Sequence, residues 1–217
     1  MQKENRKQIN HALILSMARS VLILLCCFGL FIGLTARARA ASWMDPYLDQ
    51  VVDWGIMAGD KDGNLHPDRQ ITRAEFVTLI NRAFGHKEVG ATPFRDVPES
   101  AWYAEDVAIA YRAGYFAGTS ATTASPEAPV TREQAVVMLG RNMRMQEGAG
   151  SILDYTDNTS MAPWSRGIIQ EATDMGIVTG YDDGSFRPLT PITRGQAATI
   201  ITRALGTLVN KPGEQPA

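Results

Sequence analysis

The chain has 217 residues, with 21 Lys and Arg against 23 Asp and Glu and only two cysteines, a length that suits one domain or at most two small ones. Six of the basic residues and one of the acidic ones fall in the first 40 positions, which leaves 15 basic and 22 acidic residues beyond them, a formal charge of −7 that argues against nucleic acid as a partner. Both cysteines, Cys26 and Cys27, also fall there, so the remainder can form no disulfide, thiol nucleophile or thiolate metal site.

Lys3, Arg6 and Lys7 precede an unbroken apolar run from Val21 to Thr35, which is followed by Ala36-Arg37-Ala38-Arg39-Ala40-Ala41. A basic start, an apolar region and a small-x-small site predict a secretory signal peptide over residues 1–40, cleaved after Ala40. The competing reading is a retained N-terminal membrane anchor, although the run is short against the ~20 residues that a spanning helix needs. A cleaved signal leaves no stable membrane association.

Past the leader the sequence repeats itself three times. Ile71-Thr72-Arg73-Ala74-Glu75, Val130-Thr131-Arg132-Glu133-Gln134 and Ile192-Thr193-Arg194-Gly195-Gln196 are variants of one motif. Fixed offsets from each Thr place a Trp (Trp43, Trp102, Trp164), two Gly (Gly55 and Gly59, Gly114 and Gly118, Gly176 and Gly180), a Pro (Pro67, Pro126, Pro188) and a second Arg (Arg82, Arg141, Arg203). Such register marks structural repeats, here units over 41–90, 91–150 and 151–208, with a disordered tail over 209–217.

Each unit reads as helix, loop, helix. The first helix runs from near the Trp to the first Gly, which is placed to cap it in the left-handed conformation; its apolar stripe is Leu48, Val51 and Val52, then Val107, Ala110 and Tyr111, then Ile169, Ala172 and Thr173. Asp62-Gly63 and Asp183-Gly184 are turn pairs, and repeat two has Thr122 in place of that Gly, so its loop differs. The second helix starts at the motif Thr with a capping box closed by Glu75, Gln134 or Gln196. One apolar face follows: Phe76, Leu79, Ile80 and Phe84; Ala135, Met138, Leu139 and Met143; Ala197, Ile200, Ile201 and Leu205. Gly85 and Gly206 are expected to close two of these helices. One unit cannot bury both stripes, so the three pack together, as a closed pseudo-threefold arrangement or a short solenoid.

The order Trp…Gly-Ile-x-x-Gly-x-x-x-Gly-x-x-x-Pro…Ile-Thr-Arg-Ala-Glu-Phe resembles the S-layer homology (SLH) repeat. It stands here as Trp43, Gly55-Ile56, Gly59, Gly63, Pro67 and Ile71 to Phe76, and again as Trp164, Gly176-Ile177, Gly180, Gly184, Phe186, Pro188 and Ile192 to Arg194. The family's Phe-x-Asp appears as Phe94-Arg95-Asp96 and, more weakly, as Tyr155-Thr156-Asp157. The resemblance implies an all-α, three-pronged bundle and non-covalent cell-wall anchoring, at the surface of a bacterial cell, by secondary cell wall polysaccharide (often pyruvylated) or a peptidoglycan-linked glycan held in grooves between repeats. It gives Arg73, Arg132 and Arg194 a place in those grooves. Three departures are expected to alter grooves: no Phe-x-Asp in repeat one outside the leader, no Asp-Gly turn in repeat two, and Gly195-Gln196 for Ala-Glu in repeat three.

A cation in the first turn of a helix opposes the dipole by about 0.3–1 kcal/mol, yet all three copies carry the Arg. Free N–H groups at a helix N-terminus already suit an anion, and a guanidinium fork beside them grips a carboxylate with two hydrogen bonds. Arg73, Arg132 and Arg194 are therefore expected to bind ligand, so that truncating one leaves stability almost unchanged. Arg82, Arg141 and Arg203, near the ends of the same helices, are accounted for by the dipole alone. Trp43, Trp102 and Trp164 suit either sugar stacking or the core. Gly59, Gly118 and Gly180 are backbone requirements where a ligand can also come close. Asp60-Lys61-Asp62-Gly63-Asn64 starts like a calcium loop, but Ile71 stands where an EF-hand needs Glu. No catalytic residue, metal site or cofactor is predicted; the alternative to a glycan anchor is a helical-repeat module for S-layer assembly or for binding other surface proteins.

Overall fold

A computed structural model describes residues 42–148 and 154–209; the leader with its cleavage site or anchor, and the tail from residue 210 onward, lie outside the described residues. Among the described residues there are six α-helices, α1 (Asp45–Asp53), α2 (Arg73–Phe84), α3 (Ala104–Arg112), α4 (Arg132–Asn142), α5 (Arg166–Asp174) and α6 (Arg194–Val209), and one 3-10 turn at Asn158–Ser160. Among the described residues the extended pairing is limited to isolated bridges, so the all-α expectation holds.

Local chemistry sets the helix ends. Gly55, Gly114 and Gly176 follow the first helices at φ 67°, 82° and 70°, left-handed values that cost a glycine nothing. At Gly55 and Gly176 the chain closes a Schellman motif: the next residue's N–H returns to the helix, Ile56 to Val51 and Ile177 to Ala172, each at 2.9 Å. The second helices open on three complete capping boxes, in which the hydroxyls of Thr72, Thr131 and Thr193 accept from the N–H of Glu75, Gln134 and Gln196 and the Thr backbone N–H groups donate to the side-chain oxygens of the same residues; each such cap stabilises its helix by about 1 kcal/mol. Gly85, at φ 72°, ends α2 as expected. Gly206 does not end α6, which continues to Val209, because an isolated glycine in a helix interior costs only about 1 kcal/mol.

The stripes pack in a closed order. The first helix of each repeat lies on the second helix of the repeat before it: α3 on α2, α5 on α4, and α1 on α6. At the centre the residues that precede the motif Thr bond one another in a ring, Ile71 N–H to Ile192 at 3.1 Å, Ile192 N–H to Val130 at 3.0 Å and Val130 N–H to Ile71 at 3.0 Å. A ring that returns to its start excludes an open solenoid.

Two expectations about faces need correction. Val52 and Tyr111 are exposed and Thr173 is only half-buried, so the buried stripe of the first helices is narrower, with Leu48, Val51, Val107, Ala110, Ile169 and Ala172 inside. The second helices are buried beyond one face, since Val77, Val136 and Ala198 are as enclosed as Ile80, Leu139 and Ile201. They sit centrally, α6 touching α2 and α4 as well as α1, and full burial of each such side chain contributes about 1.5–3 kcal/mol. Asn81, buried with them, donates to Asp106 at 2.8 Å and accepts from the Tyr115 hydroxyl at 2.6 Å.

Candidate functional site

The capping Thr fixes the next residue, the motif Arg, as the first of its helix, and the neighbouring repeat's loop meets it there. The backbone N–H of Arg73 donates to Ala128 and that of Ala74 to Pro126; Arg132 and Glu133 donate to Thr190 and Pro188, and Arg194 and Gly195 to Arg69 and Pro67, all at 2.9–3.0 Å. The free N–H groups expected at these termini are thus already taken, which corrects the premise that they form ready anion sites.

The guanidinium groups enter the same loop. Arg73 donates through Nε to the Ala124 carbonyl and through Nη2 to the Ala117 carbonyl, both at 2.9 Å, and lies 4.9 Å over the Phe116 ring. Arg194 repeats this with Leu65 at 2.8 Å and Ala58 at 2.9 Å. Arg132 repeats only half: Nη2 donates to Thr179 at 2.6 Å, while its buried Nε has no partner among the described residues. Arg73 and Arg132 are buried, and desolvation lowers all three, Arg73 to about 10, which leaves each charged at neutral pH. These side chains hold one repeat to the next, so the expectation that truncation leaves stability almost unchanged does not survive.

The loop that receives each Arg is itself pinned. Asp96 accepts from the N–H groups of Ala124 and Ser125, both at 2.8 Å; Asp157 accepts from Phe186 at 2.8 Å and Arg187 at 2.7 Å. The weak Tyr155-Thr156-Asp157 is therefore the working counterpart of Phe94-Arg95-Asp96. Gly59, Gly118 and Gly180 owe their identity to this loop. A Cβ at Gly59 would lie 2.6 Å from the Gly63 carbonyl, one at Gly118 2.6 Å from the Phe94 ring and one at Gly180 2.7 Å from the Tyr155 ring. Repeat two, with Thr122 at the tip, keeps the same mouth: Thr119 N–H bonds Thr123 at 2.8 Å, as Tyr181 bonds Ser185.

Trp43, Trp102 and Trp164 are exposed, which decides against the core for all three, and two of them wall grooves between repeats. One groove, of about 300 Å³, brings Trp43 of repeat one to Arg132 of repeat two and to Thr179, Gly180, Gln196 and Arg203 of repeat three. A second, of about 170 Å³, brings Trp102 of repeat two to Arg194 of repeat three and to Ala58, Glu75 and Arg82 of repeat one. At the third interface Arg141 lies 5.6 Å over the Trp164 ring and pairs with Glu147 at 2.7 Å. Arg82, Arg141 and Arg203 therefore belong to this surface, which the dipole argument missed. Arg203 is not even in the last turn of α6. The spacing Glu75, Thr78, Arg82, one helix face at i, i+3 and i+7, carried the signal. Tyr181 was missed as well; its hydroxyl accepts from Gln196 Nε2 at 3.2 Å. A concave surface with an indole face and guanidinium edges can stack a sugar ring and meet an acidic substituent.

A family model for the S-layer homology domain matches residues 37–77, 93–136 and 154–198. The chain belongs to the S-layer homology family. Its repeats are similar to those of the surface-layer 125 kDa protein of Lysinibacillus sphaericus, 30% identical over 161 residues, which make up 73% of this chain and 14% of that protein. An amylopullulanase of Thermoanaerobacterium thermosulfurigenes is 31% identical over 166 residues, 74% of this chain and 9% of the enzyme. A cellulosome-anchoring protein of Acetivibrio thermocellus is 26% identical over 160 residues, 69% and 35% of the two chains. The chain thus spans from about a tenth to about a third of these relatives, and the S-layer homology repeats they share form a cell-surface anchoring module. Among the described residues no helix is long and apolar enough to cross a membrane.

Proposed function

We propose that this chain is exported and anchors at the cell wall by holding secondary cell wall polysaccharide, through an acidic group such as a pyruvate ketal, in the grooves between its repeats. The observation that carries this reading is the recurrence at repeat interfaces of an exposed Trp from one repeat beside a motif Arg from another and a second-helix Arg from the third. The indole supplies an apolar face for a sugar ring, and the guanidinium edges supply charge-assisted donors for its carboxylate. Binding rather than catalysis is the role assigned, because the matched part of the enzyme-named relatives is a small fraction of their length. The test is retention of the purified protein on cell-wall sacculi, with the same sacculi stripped of secondary polymer as control. Retention on the first and not the second supports the reading; equal retention on both moves the ligand to peptidoglycan, and retention on neither favours a protein partner.

A further inference from the structure

The three interfaces between repeats are not equivalent, and what separates them is how many guanidinium N–H groups are already spent. An arginine has five N–H donors. In the Trp102 groove, Arg194 spends Nε and Nη2 on the Leu65 and Ala58 carbonyls, and its Nη1 faces the Glu75 carboxylate at 3.8 Å. At the Trp164 interface, Arg73 spends Nε and Nη2 on carbonyls; Arg141, which covers that indole, is held by Glu147. In the Trp43 groove, Arg132 spends only Nη2. Its Nε is buried without a partner among the described residues, in a residue that is 7% exposed. Among the described residues Arg203, on the same wall, donates to the Tyr47 hydroxyl alone, at 3.4 Å. Neither Arg132 nor Arg203 is in an ion pair among the described residues; the carboxylate that lines this groove, Asp182, is exposed at its rim.

One residue accounts for much of the contrast between the two lined grooves. The third residue of the capping box faces the groove in both, as Glu75 beside Trp102 and as Gln196 beside Trp43. Both side chains complete the capping box equally well, so the helix does not distinguish them. Their charge does. Glu75 is held first by Arg69, at 2.5 Å, but it also stands 3.8 Å from Nη1 of Arg194, the guanidinium that a ligand's carboxylate would use, and like charges compete. Gln196 instead turns its amide to Tyr181 and leaves Arg132 without a counter-ion.

We propose that the Trp43 groove is the principal site for a monoanionic sugar, that Arg132 and Arg203 meet its carboxylate, and that the identity of the capping residue, Gln196 against Glu75, sets which groove admits an anion. This rests on the glycan-anchoring reading above. A cation without an ion-pair partner gains most from an incoming anion, because the ligand's carboxylate meets a guanidinium that no protein carboxylate already holds.

The test is calorimetric titration of the full chain with a methyl glycoside that carries a pyruvate ketal and with the methyl ester of the same sugar. Gln196→Glu and Glu75→Gln are the key variants, since each installs a capping residue that the protein already uses elsewhere, and thermal melts confirm that they fold. The expected result is one dominant site that prefers the free acid and is weakened at least tenfold by Gln196→Glu and by Trp43→Ala. Binding that survives Gln196→Glu but is lost in Trp102→Ala overturns the groove assignment and leaves the anchoring reading standing. Equal affinity for acid and ester overturns the role of the arginines. Wild-type protein that binds neither sugar, yet is retained on polymer-bearing sacculi, overturns the anionic ligand alone; failure of both experiments overturns the anchoring reading with it.

Discussion

Gly195 opens α6 directly beneath the thioether of Met44: a Cβ on Gly195 would collide with the Met44 sulfur and lie 3.2 Å from the Pro67 carbonyl oxygen. The missing side chain is therefore what lets repeat one dock on repeat three, and the departure from Ala at this position is a fit between two repeats far apart in sequence. The corresponding place in repeat two has Glu133, whose carboxylate accepts from Ala162 N–H at 2.8 Å and from the Ser165 hydroxyl. Each interface has its own fit, and that favours one order of pairing over the alternatives.

Gly195→Ala is accordingly expected to destabilise the protein by about 1–3 kcal/mol through overpacking. Met44→Ala alone also destabilises, by opening a cavity. Combined, the two should cost clearly less than their sum, since the smaller residue vacates the space the new Cβ needs. Denaturant melts of the four proteins check this, and strict additivity would refute the contact.

Arg73→Ala should be among the more damaging single changes. It removes two hydrogen bonds and leaves the buried Ala124 carbonyl without its donor, at about 1–3 kcal/mol for an unsatisfied group, while the carbonyl of the exposed Ala117 loses its guanidinium donor but can turn to water. A loss of about 2–4 kcal/mol is expected. Arg132→Ala should cost less, because one carbonyl bond is lost and an unpartnered buried Nε goes with it. Urea melts that rank the two variants the other way would contradict this donor accounting.

Much of the fold was legible because it is written in local chemistry that repeats. The Thr-x-x-Glu/Gln boxes, the left-handed glycines and the apolar positions of α2, α4 and α6 each follow from residue type and spacing. What escaped was the contact between repeats. Nothing in the spacing of Arg73 announces that carbonyls 44 and 51 residues away will receive its side chain, so an argument from its own helix assigned it to a ligand. The three Trp residues were ambiguous for a related reason: a Trp that opens a stripe reads as core until the neighbouring repeat is seen to leave its face uncovered. Arg203 is hidden for the opposite reason: Gly206 reads as a stop, and the helix runs past it to Val209.

Glu75 gives the protein an acid-side signature. Burial alone would raise its carboxyl, but the Arg69 hydrogen bonds, the Thr72 N–H and the charges of Arg69 and Arg194 more than offset this and hold it below its ordinary 4.5. A carboxyl lowered on folding contributes stability that is present above its unfolded value and is lost as pH falls through the folded one. The stability difference between wild type and Glu75→Gln should therefore shift against wild type as pH drops below about 4.5. Thermal melts of both proteins between neutral pH and pH ~3 measure it; parallel curves would show that Glu75 gains nothing from its partners.

Asp157 offers the test of whether the weakest motif segment works like the strongest. Its two carboxylate oxygens receive the N–H groups of Phe186 and Arg187, and Arg187 sits at φ 59°, a left-handed conformation that a non-glycine residue holds only when its surroundings require it. Asp157→Ala removes both acceptors from a strained turn; hydrogen bonds to a charged group contribute about 1.5–3 kcal/mol, and with part of the turn open to water the expected loss is about 2 kcal/mol. Asp157→Asn keeps one carbonyl acceptor and should fall between. Because the same loop carries the Thr179 carbonyl that holds Arg132, the change should also slacken the Trp43 groove. Asp96→Ala, made at the stronger-looking segment, should lose a similar amount, since Asp96 accepts the equivalent pair from Ala124 and Ser125. Urea melts of the two alanine variants decide the matter: comparable losses mean that Tyr155-Thr156-Asp157 pins its loop as Phe94-Arg95-Asp96 does, and a negligible loss at Asp157 alone would mean that repeat three holds its turn by other contacts.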